Sequence, residues 1–154
     1  MRYFAYGSNM NIAQMRDRCP GITHIGRYQL DGFRLVFNYH ADIIPAEGCT
    51  VHGALWLIES NYEASLDRYE GYPSYYGKYY YQNDIMFYRM QEASGNLKPP
   101  AMWYLRDVIQ GYKDFGLTQD DFEESLGVQQ LGLPQAEVEQ ILGVPMDELE
   151  CLFS

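Results

Sequence analysis

A short run of β-prone residues at the start of the chain leads directly into a glycine turn. Residues 3–6 read Tyr-Phe-Ala-Tyr, and Gly7, Ser8 and Asn9 follow them. Such a turn brings backbone N–H groups, a hydroxyl and an amide to a sheet edge, where they can bind an anion or a carbonyl oxygen. A plain strand-to-helix connection would use the same residues, since glycine permits positive φ and Ser or Asn cap helices. The turn alone therefore leaves both interpretations open.

Length and charge restrict the class of protein. The 154 residues fit one domain, and the fifteen tyrosines indicate strands and a pocket with polar tips rather than a purely aliphatic core. A net charge of -10 argues against a nucleic-acid partner and against adsorption to anionic membranes, because no basic stripe is present.

The cysteines and the hydrophobic pattern indicate the compartment. Cys19, Cys49 and Cys151 are scattered, which is typical of reduced thiols in an intracellular protein. The chain begins with a strand pattern rather than a signal peptide, and no apolar run approaches the roughly 20 residues of a membrane span. We therefore expect a cytoplasmic protein.

The hydrophobic pattern predicts an α+β domain built on a curled sheet or small mixed β-barrel of about six strands with flanking helices. Asp31-Gly32 is a strong hairpin signal between two of these strands, and residues 40–50 read as a loop. The predicted strands are residues 1–6, 26–30, 33–39, 51–58, two within 75–90 joined near Asn83-Asp84, and 101–105.

Helix signals occur between and after the strands. A helix is predicted over residues 11–18, and a second one begins with a capping box at Ser60 and ends at Glu70, with Gly71 as its C-cap. Thr118 is expected to cap a later helix. Pro134 is expected in the first turn of the last helix, which ends near residue 143. We expect residues 1–143 to form the domain and 144–154 an acidic tail, with Leu149, Leu152 and Phe153 available for docking.

Glu70 is the strongest candidate for a catalytic side chain. A carboxylate at a helix C-terminus faces the negative end of the helix dipole, and the neighbouring Tyr69 and Tyr72 would add desolvation. Both effects raise the pKa of the carboxyl group toward a value suited to proton transfer near neutral pH. An ordinary surface position at a helix end remains the alternative.

Other reactive residue types give weaker signals. His24, His40 and His52 fall on three different predicted elements, so they are read as solvated or hydrogen-bonded histidines and no metal site is predicted. Ser8 lacks a Gly-x-Ser-x-Gly context and is read as a binding residue or a cap. The tyrosines from Tyr69 to Tyr81 are expected mainly to pack across strands.

Four segments occur in an informative order: residues 4–10 (Phe-Ala-Tyr-Gly-Ser-Asn-Met), 66–71 (Leu-Asp-Arg-Tyr-Glu-Gly), 103–105 (Trp-Tyr-Leu) and 127–134 (Gly-Val-Gln-Gln-Leu-Gly-Leu-Pro). Together they resemble the γ-glutamylcyclotransferase superfamily, which includes the AIG2-like proteins. The first resembles that family's Tyr-Gly-Ser-Asn-Leu substrate loop and the second its Leu-Asp-x-x-Glu-Gly segment. The third resembles a strand with a pocket tyrosine, and the fourth a C-terminal Gly-Ala-x-x-x-Gly-Leu-Pro.

The resemblance implies a small mixed β-barrel and an enzyme, either an acyl-type intramolecular transferase or a lyase, that needs neither metal nor cofactor. In the implied reaction the α-amino group of a small γ-glutamyl compound attacks its own γ-carbonyl, and 5-oxoproline and an amine or amino acid are released. The resemblance makes Glu70 the catalytic general acid/base. The implied substrate-binding residues are Tyr6, Gly7, Ser8, Asn9, Met10, Tyr75, Tyr76 and Tyr104.

Several alternatives stay open at this point. Asp120 stands where many members of the family have a tyrosine, and residues 106–117 have no clear counterpart, so the leaving group is undetermined. Asn9 argues against the glutathione-specific branch, which has leucine there. A non-catalytic member of the same fold, or an unrelated barrel in which these motifs are caps and turns, would also fit. The oligomeric state, monomer or homodimer, is not determined.

Overall fold

A computed structural model of the chain describes residues 1–82, 84–91 and 97–154. A short 3-10 helix, Ser8–Met10, follows the first strand. The strands are β1 (Arg2–Ala5), β2 (Thr23–Asn38), β3 (His40–Leu57), β4 (Tyr76–Tyr81) and β5 (Ile85–Met90). The helices are α1 (Ile12–Arg18), α2 (Ser60–Glu70), α3 (Met102–Asp114), α4 (Gln119–Leu126), α5 (Val128–Leu131), α6 (Gln135–Leu142) and α7 (Met146–Phe153).

The described strands form one open mixed sheet in the order β2-β3-β1-β5-β4. β1 lies in the middle, antiparallel to β3 and parallel to β5. The α+β class predicted from the sequence is confirmed, whereas the barrel of about six strands is not. The described sheet has five strands, because one predicted strand is a helix and two others are a single strand.

The predicted hairpin at Asp31-Gly32 is wrong, and so is the predicted loop over residues 40–50. β2 runs through Gly32, and its register with β3 shifts between Asp31 and Phe33. The reversal comes instead at Tyr39, at φ 63, between β2 and β3. Gly32 has φ 85, and the same Asp-Gly pair that suits a hairpin turn also suits a β-bulge. The two long strands therefore pair along most of their length.

The predicted strand over residues 101–105 is also wrong, because this segment begins α3. The buried residues of α3 include Tyr104, Leu105, Val108, Ile109 and Tyr112, a spacing that places them on one helix face. The five residues of the predicted strand were too few to reveal the helical periodicity. Because the segment is helical, Tyr104 reaches the core from α3 rather than from the sheet.

Two of the predicted helix caps are confirmed and one is wrong. Gly71 ends α2 in the left-handed conformation, as predicted, and Thr118 forms a full capping box with Asp121. The capping box at Ser60 is wrong, since Glu59 occupies the N-cap and makes no side-chain capping bond within the described part of the chain. Pro134 is the N-cap of α6, which is followed by a further helix.

The remaining features concern the turn near residue 83 and the C-terminus. Asn83, which the predicted turn includes, lies outside the described residues. On either side of it, Gln82 has φ 51 and the backbone N–H of Asp84 donates to the carbonyl of Tyr81 at 3.3 Å. In α7, Leu149 is fully buried, and Leu152 and Phe153 pack against the core. None of the described helices combines the length and apolar character needed to cross a membrane.

Candidate active site

A cavity of about 200 Å³ opens where β1 ends and the 3-10 helix begins. Its walls come from both neighbours of β1 in the sheet, from the end of α2 and from α3. Most of its side chains are aromatic and carry a polar tip. The lining residues are Tyr3, Tyr6, Gly7, Ser8, Asn9, His40, Ala41, Tyr69, Glu70, Tyr75, Tyr76, Tyr88 and Tyr104.

Glu70 is the acidic side chain of this lining. It is the last residue of α2, and Gly71 ends the helix there with φ 67. Burial raises the pKa of the Glu70 carboxyl from its ordinary 4.5 to about 7, although the Arg18 guanidinium and a hydrogen bond from Asn9 act in the opposite direction. A carboxyl group with this pKa can both accept and return a proton near neutral pH.

The turn after β1 presents backbone donors to the same cavity. Within the described residues, the N–H groups of Gly7, Ser8 and Asn9 have no hydrogen-bond acceptor, whereas Met10 N–H donates to the Gly7 carbonyl at 3.0 Å. The indole Nε1–H of Trp56 donates to the Asn9 carbonyl at 3.0 Å and holds the turn against β3. Buried N–H groups are nearly always paired, so this turn can accept an anion or a carbonyl oxygen.

The side chain of Asn9 connects this turn to Glu70. Its Nδ2 donates to Glu70 Oε1 and to the Tyr3 hydroxyl, both at 2.8 Å, and its Oδ1 accepts from Arg18 at 2.6 Å. Both amide hydrogens are therefore committed within the protein. Asn9 fixes the position of the carboxylate, and its backbone N–H remains the group that can contact a ligand.

The buried tyrosines fall into two groups by what their hydroxyl protons do. Tyr6 donates to the Tyr88 carbonyl and Tyr76 to the Ala41 carbonyl, each at 2.6 Å. Tyr104 instead accepts the Ala41 N–H at 2.9 Å, and its hydroxyl lies beside that of Ser8 rather than a backbone carbonyl. Burial raises the pKa of all three hydroxyls, so they are protonated near neutral pH.

The cavity brings together most of the site residues nominated from the sequence. Tyr6, Gly7, Ser8, Asn9, Glu70, Tyr75, Tyr76 and Tyr104 all line it, with Tyr75 partly exposed at its edge. Met10 does not: its side chain is fully buried in the core and its N–H closes the 3-10 turn. Met10 is therefore not part of the cavity lining.

The sequence analysis did not nominate six contributors to the site, which are Tyr3, Arg18, His40, Ala41, Tyr69 and Tyr88. Tyr3 and Tyr88 lie on the neighbouring strands β1 and β5, and His40 begins a strand that was read as a loop. Arg18 reaches the site from the end of α1 by contacting Asn9 and Tyr69. No local sequence pattern indicated Arg18, because Asn9 lies outside its helix and Tyr69 is 51 residues away in the chain.

Among the residues described, no cluster of His, Cys, Asp and Glu is arranged to hold a metal ion.

Comparison with known proteins agrees with the geometry. Residues 3–114 match the family described as Gamma-glutamyl cyclotransferase, AIG2-like, and the chain belongs to this family. No curated protein matches the chain significantly. The family match excludes the unrelated barrel that the sequence alone left open.

Solved structures with this fold include one named Gamma-glutamyl cyclotransferase, which is 25% identical with a TM-score of 0.65 over 80% of this chain and 84% of that one. A human protein described as uncharacterized protein loc79017 is 26% identical, with a TM-score of 0.67 and the same coverage of 80% and 84%. YkqA from Bacillus subtilis, at 21% identity and a TM-score of 0.65, shares the fold over 80% of this chain and 52% of its own.

Proposed function

We propose that this protein is a γ-glutamylcyclotransferase-type enzyme that converts the γ-glutamyl group of a small γ-glutamyl amino acid or amine into 5-oxoproline and releases the amine. The observation that carries the proposal is the contact between Glu70 and Asn9. It places a carboxyl group of pKa about 7 beside a turn with free backbone donors, inside one small cavity.

Glu70 acts as the general base and then as the general acid. The α-amino group of the substrate arrives as an ammonium ion and must lose a proton before its nitrogen can attack the γ-carbonyl carbon. Glu70 takes this proton, and the attack forms the new C–N bond that closes the five-membered ring. The ring nitrogen then gives up a second proton as the original amide C–N bond breaks. Glu70 passes both protons in turn to the departing nitrogen, so the amine leaves as an ammonium ion and Glu70 is ionised again.

The turn after β1 stabilises negative charge during the reaction. The γ-carbonyl oxygen becomes an oxyanion in the tetrahedral intermediate, and backbone N–H groups are suitable donors because they need no reorganisation. The N–H groups of Gly7, Ser8 and Asn9 are available for this oxygen or for the substrate carboxylate. The Tyr104 hydroxyl can supply a further donor from α3.

The cavity itself supplies much of the remaining rate enhancement. Both reacting groups belong to one molecule, so the site must mainly hold the γ-glutamyl chain curled with the amine near the carbonyl. Well-oriented intramolecular attack is worth roughly 7–11 kcal/mol. The small aromatic cavity around Glu70 suits this task, and the amine leaving group extends toward its opening beside Tyr69 and Tyr75.

The test is 5-oxoproline release from a panel of γ-glutamyl amino acids, γ-glutamylamines and glutathione. Glu70→Gln protein serves as the blank, and Glu59→Gln, an exposed position just before the same helix, serves as the matched control. We expect release by the wild-type and Glu59→Gln proteins and its loss in Glu70→Gln. Normal turnover by Glu70→Gln would remove Glu70 from the mechanism. If the folded wild-type protein releases no 5-oxoproline from any compound of the panel, the result would favour a non-catalytic member of the fold that binds a small ligand or a protein.

A further inference from the structure

Arg18 contacts the residues around Glu70 without lining the cavity itself. It is the last residue of α1, and its guanidinium carbon lies 3.7 Å from the centre of the Tyr69 ring. Nη2 donates to the Tyr69 hydroxyl at 2.6 Å and to Gln14 Oε1 at 2.7 Å. Nη1 donates to Asn9 Oδ1 at 2.6 Å. The guanidinium is thus held in one orientation from several sides.

This arrangement determines which way the Asn9 amide faces. A guanidinium has only donors, so the atom of Asn9 that it contacts must be the oxygen. The amide nitrogen is then forced to the other side, where it meets Glu70 and Tyr3. If Arg18 were absent, the amide could rotate by half a turn and bring its oxygen against the Glu70 carboxylate, which repels it when Glu70 is ionised.

We infer that Arg18 is a positioning residue of this site, which locks the Asn9 amide in the orientation that holds the Glu70 carboxylate ready to accept a proton. The structural part of this assignment stands on the contacts alone, and its catalytic consequence rests on the function proposed above. Arg18 acts through Asn9 and does not touch the substrate.

The electrostatics around Glu70 support this inference. Arg18 is the cation that lowers the pKa of the Glu70 carboxyl against the larger opposing effect of burial. Burial lowers the pKa of His40 and raises that of the buried tyrosines, so these groups are neutral near pH 7. These neutral groups are His40 on β3, Tyr3 on β1, Tyr6 after it, Tyr76 on β4, Tyr88 on β5 and Tyr104 on α3.

The inference predicts that lysine cannot replace Arg18. The guanidinium bonds to Asn9, Gln14 and Tyr69 at once while it stacks on the Tyr69 ring, and an ammonium group cannot reproduce this planar fork. The informative variants are therefore Arg18→Met, which removes both charge and fork, and Arg18→Lys, which keeps the charge. Arg16→Met is the matched control, because Arg16 is exposed in the same turn of α1.

The decisive measurement is a carbon-13 NMR titration of the Glu70 side-chain carboxyl, assigned by its disappearance in Glu70→Gln. It needs no turnover. We expect the midpoint to move to higher pH in Arg18→Met, to move less in Arg18→Lys, and to stay in place in Arg16→Met. With a substrate that the enzyme turns over, the rising limb of the pH profile of kcat/KM should also move to higher pH in Arg18→Met. In the same variant kcat should fall by roughly ten- to a hundredfold.

Each outcome decides the matter. A folded Arg18→Met protein with an unchanged Glu70 midpoint would overturn the inference, whatever the enzyme does with substrates. A shifted midpoint in a protein that turns over no γ-glutamyl compound would support the role of Arg18 and refute the proposed function. If Arg18→Met fails to fold, a folded Arg18→Lys protein with wild-type titration and kcat would overturn the inference, and a shifted midpoint there would support it.

Discussion

The Asn9 amide nitrogen donates a 2.8 Å hydrogen bond to the Glu70 carboxylate, although 61 residues separate them in the chain. This bond joins the turn after β1 to the C-terminus of α2. The proposed base and the backbone donors for the oxyanion therefore belong to one connected unit. A displacement of either part would misplace the other, which is a strong geometric constraint on a reaction that depends on orientation.

The burial of Glu70 should be visible in the pH dependence of stability. Its pKa is about 7 in the folded protein against 4.5 as its ordinary value, so its stabilising contribution is full below pH 4.5 and is lost as pH rises through 7. Glu70→Gln lacks this titration. We expect the free energy of unfolding of Glu70→Gln to gain about 2 kcal/mol relative to wild type between about pH 5.5 and about pH 8.

Urea unfolding of both proteins at the two pH values measures this difference, because other titrating groups cancel in the comparison. Glu59→Gln should show no such change with pH. A constant difference between Glu70→Gln and wild type would mean that the carboxyl titrates normally in the folded protein.

Two tyrosines that bond to the same residue should differ in their effect on catalysis. Tyr76 donates to the carbonyl of Ala41 and Tyr104 accepts from its N–H, so each Phe variant deletes one buried bond to Ala41. Both variants should lose about 1–3 kcal/mol of stability. Tyr76 donates its proton to a backbone carbonyl, whereas the Tyr104 hydroxyl has the Ser8 hydroxyl beside it and can turn to a substrate. Tyr104→Phe should therefore lower kcat/KM roughly tenfold below Tyr76→Phe. Equal kinetics in the two variants would exclude Tyr104 from substrate binding.

Gly7 is expected to tolerate no side chain. A Cβ there would lie 3.0 Å from Ala41 Cβ and 3.2 Å from the Tyr104 hydroxyl, which is tighter than ordinary packing. Gly7→Ala should therefore shift the turn, raise KM roughly tenfold and cost about 1–3 kcal/mol of stability. Removing the nearer obstacle in the double variant with Ala41→Gly should restore part of both losses. Wild-type kinetics in Gly7→Ala would show that the turn does not touch the substrate.

The two capping signals read from the sequence should respond differently to alanine. Thr118 accepts from the N–H of Asp121 and caps α4, whereas Ser60 is already inside α2 behind Glu59. Thr118→Ala should cost about 1 kcal/mol of stability, and Ser60→Ala should stay within about 0.5 kcal/mol of wild type. Denaturant unfolding measures both, and an equal cost for the two variants would contradict the cap assignments.

Local patterns identified several elements correctly. Gly71 ends α2, Thr118 caps α4, and the strand before Gly7 leads into a turn at the edge of the cavity. Caps and turns depend on hydrogen bonds within a few residues, so their residue types carry the information. The same reasoning placed Glu70 at a helix end.

Patterns with two physical solutions were misread. Asp31-Gly32 suits a bulge as well as a hairpin, and the choice depended on pairing with β3 across more than ten residues. The five residues from 101 fit a strand until α3 is seen to continue to Asp114.

The sequence by itself determined the glycine turn, the helix end that carries Glu70 and the α+β class, because each rests on short-range backbone preferences and hydrophobic periodicity. Tertiary structure alone decided the open sheet order, the arrival of Arg18 and Tyr3 beside Asn9, and the burial that brings the pKa of Glu70 to about 7. Those features depend on contacts between distant segments and on the exclusion of water, and neither is encoded in the spacing of neighbouring residues.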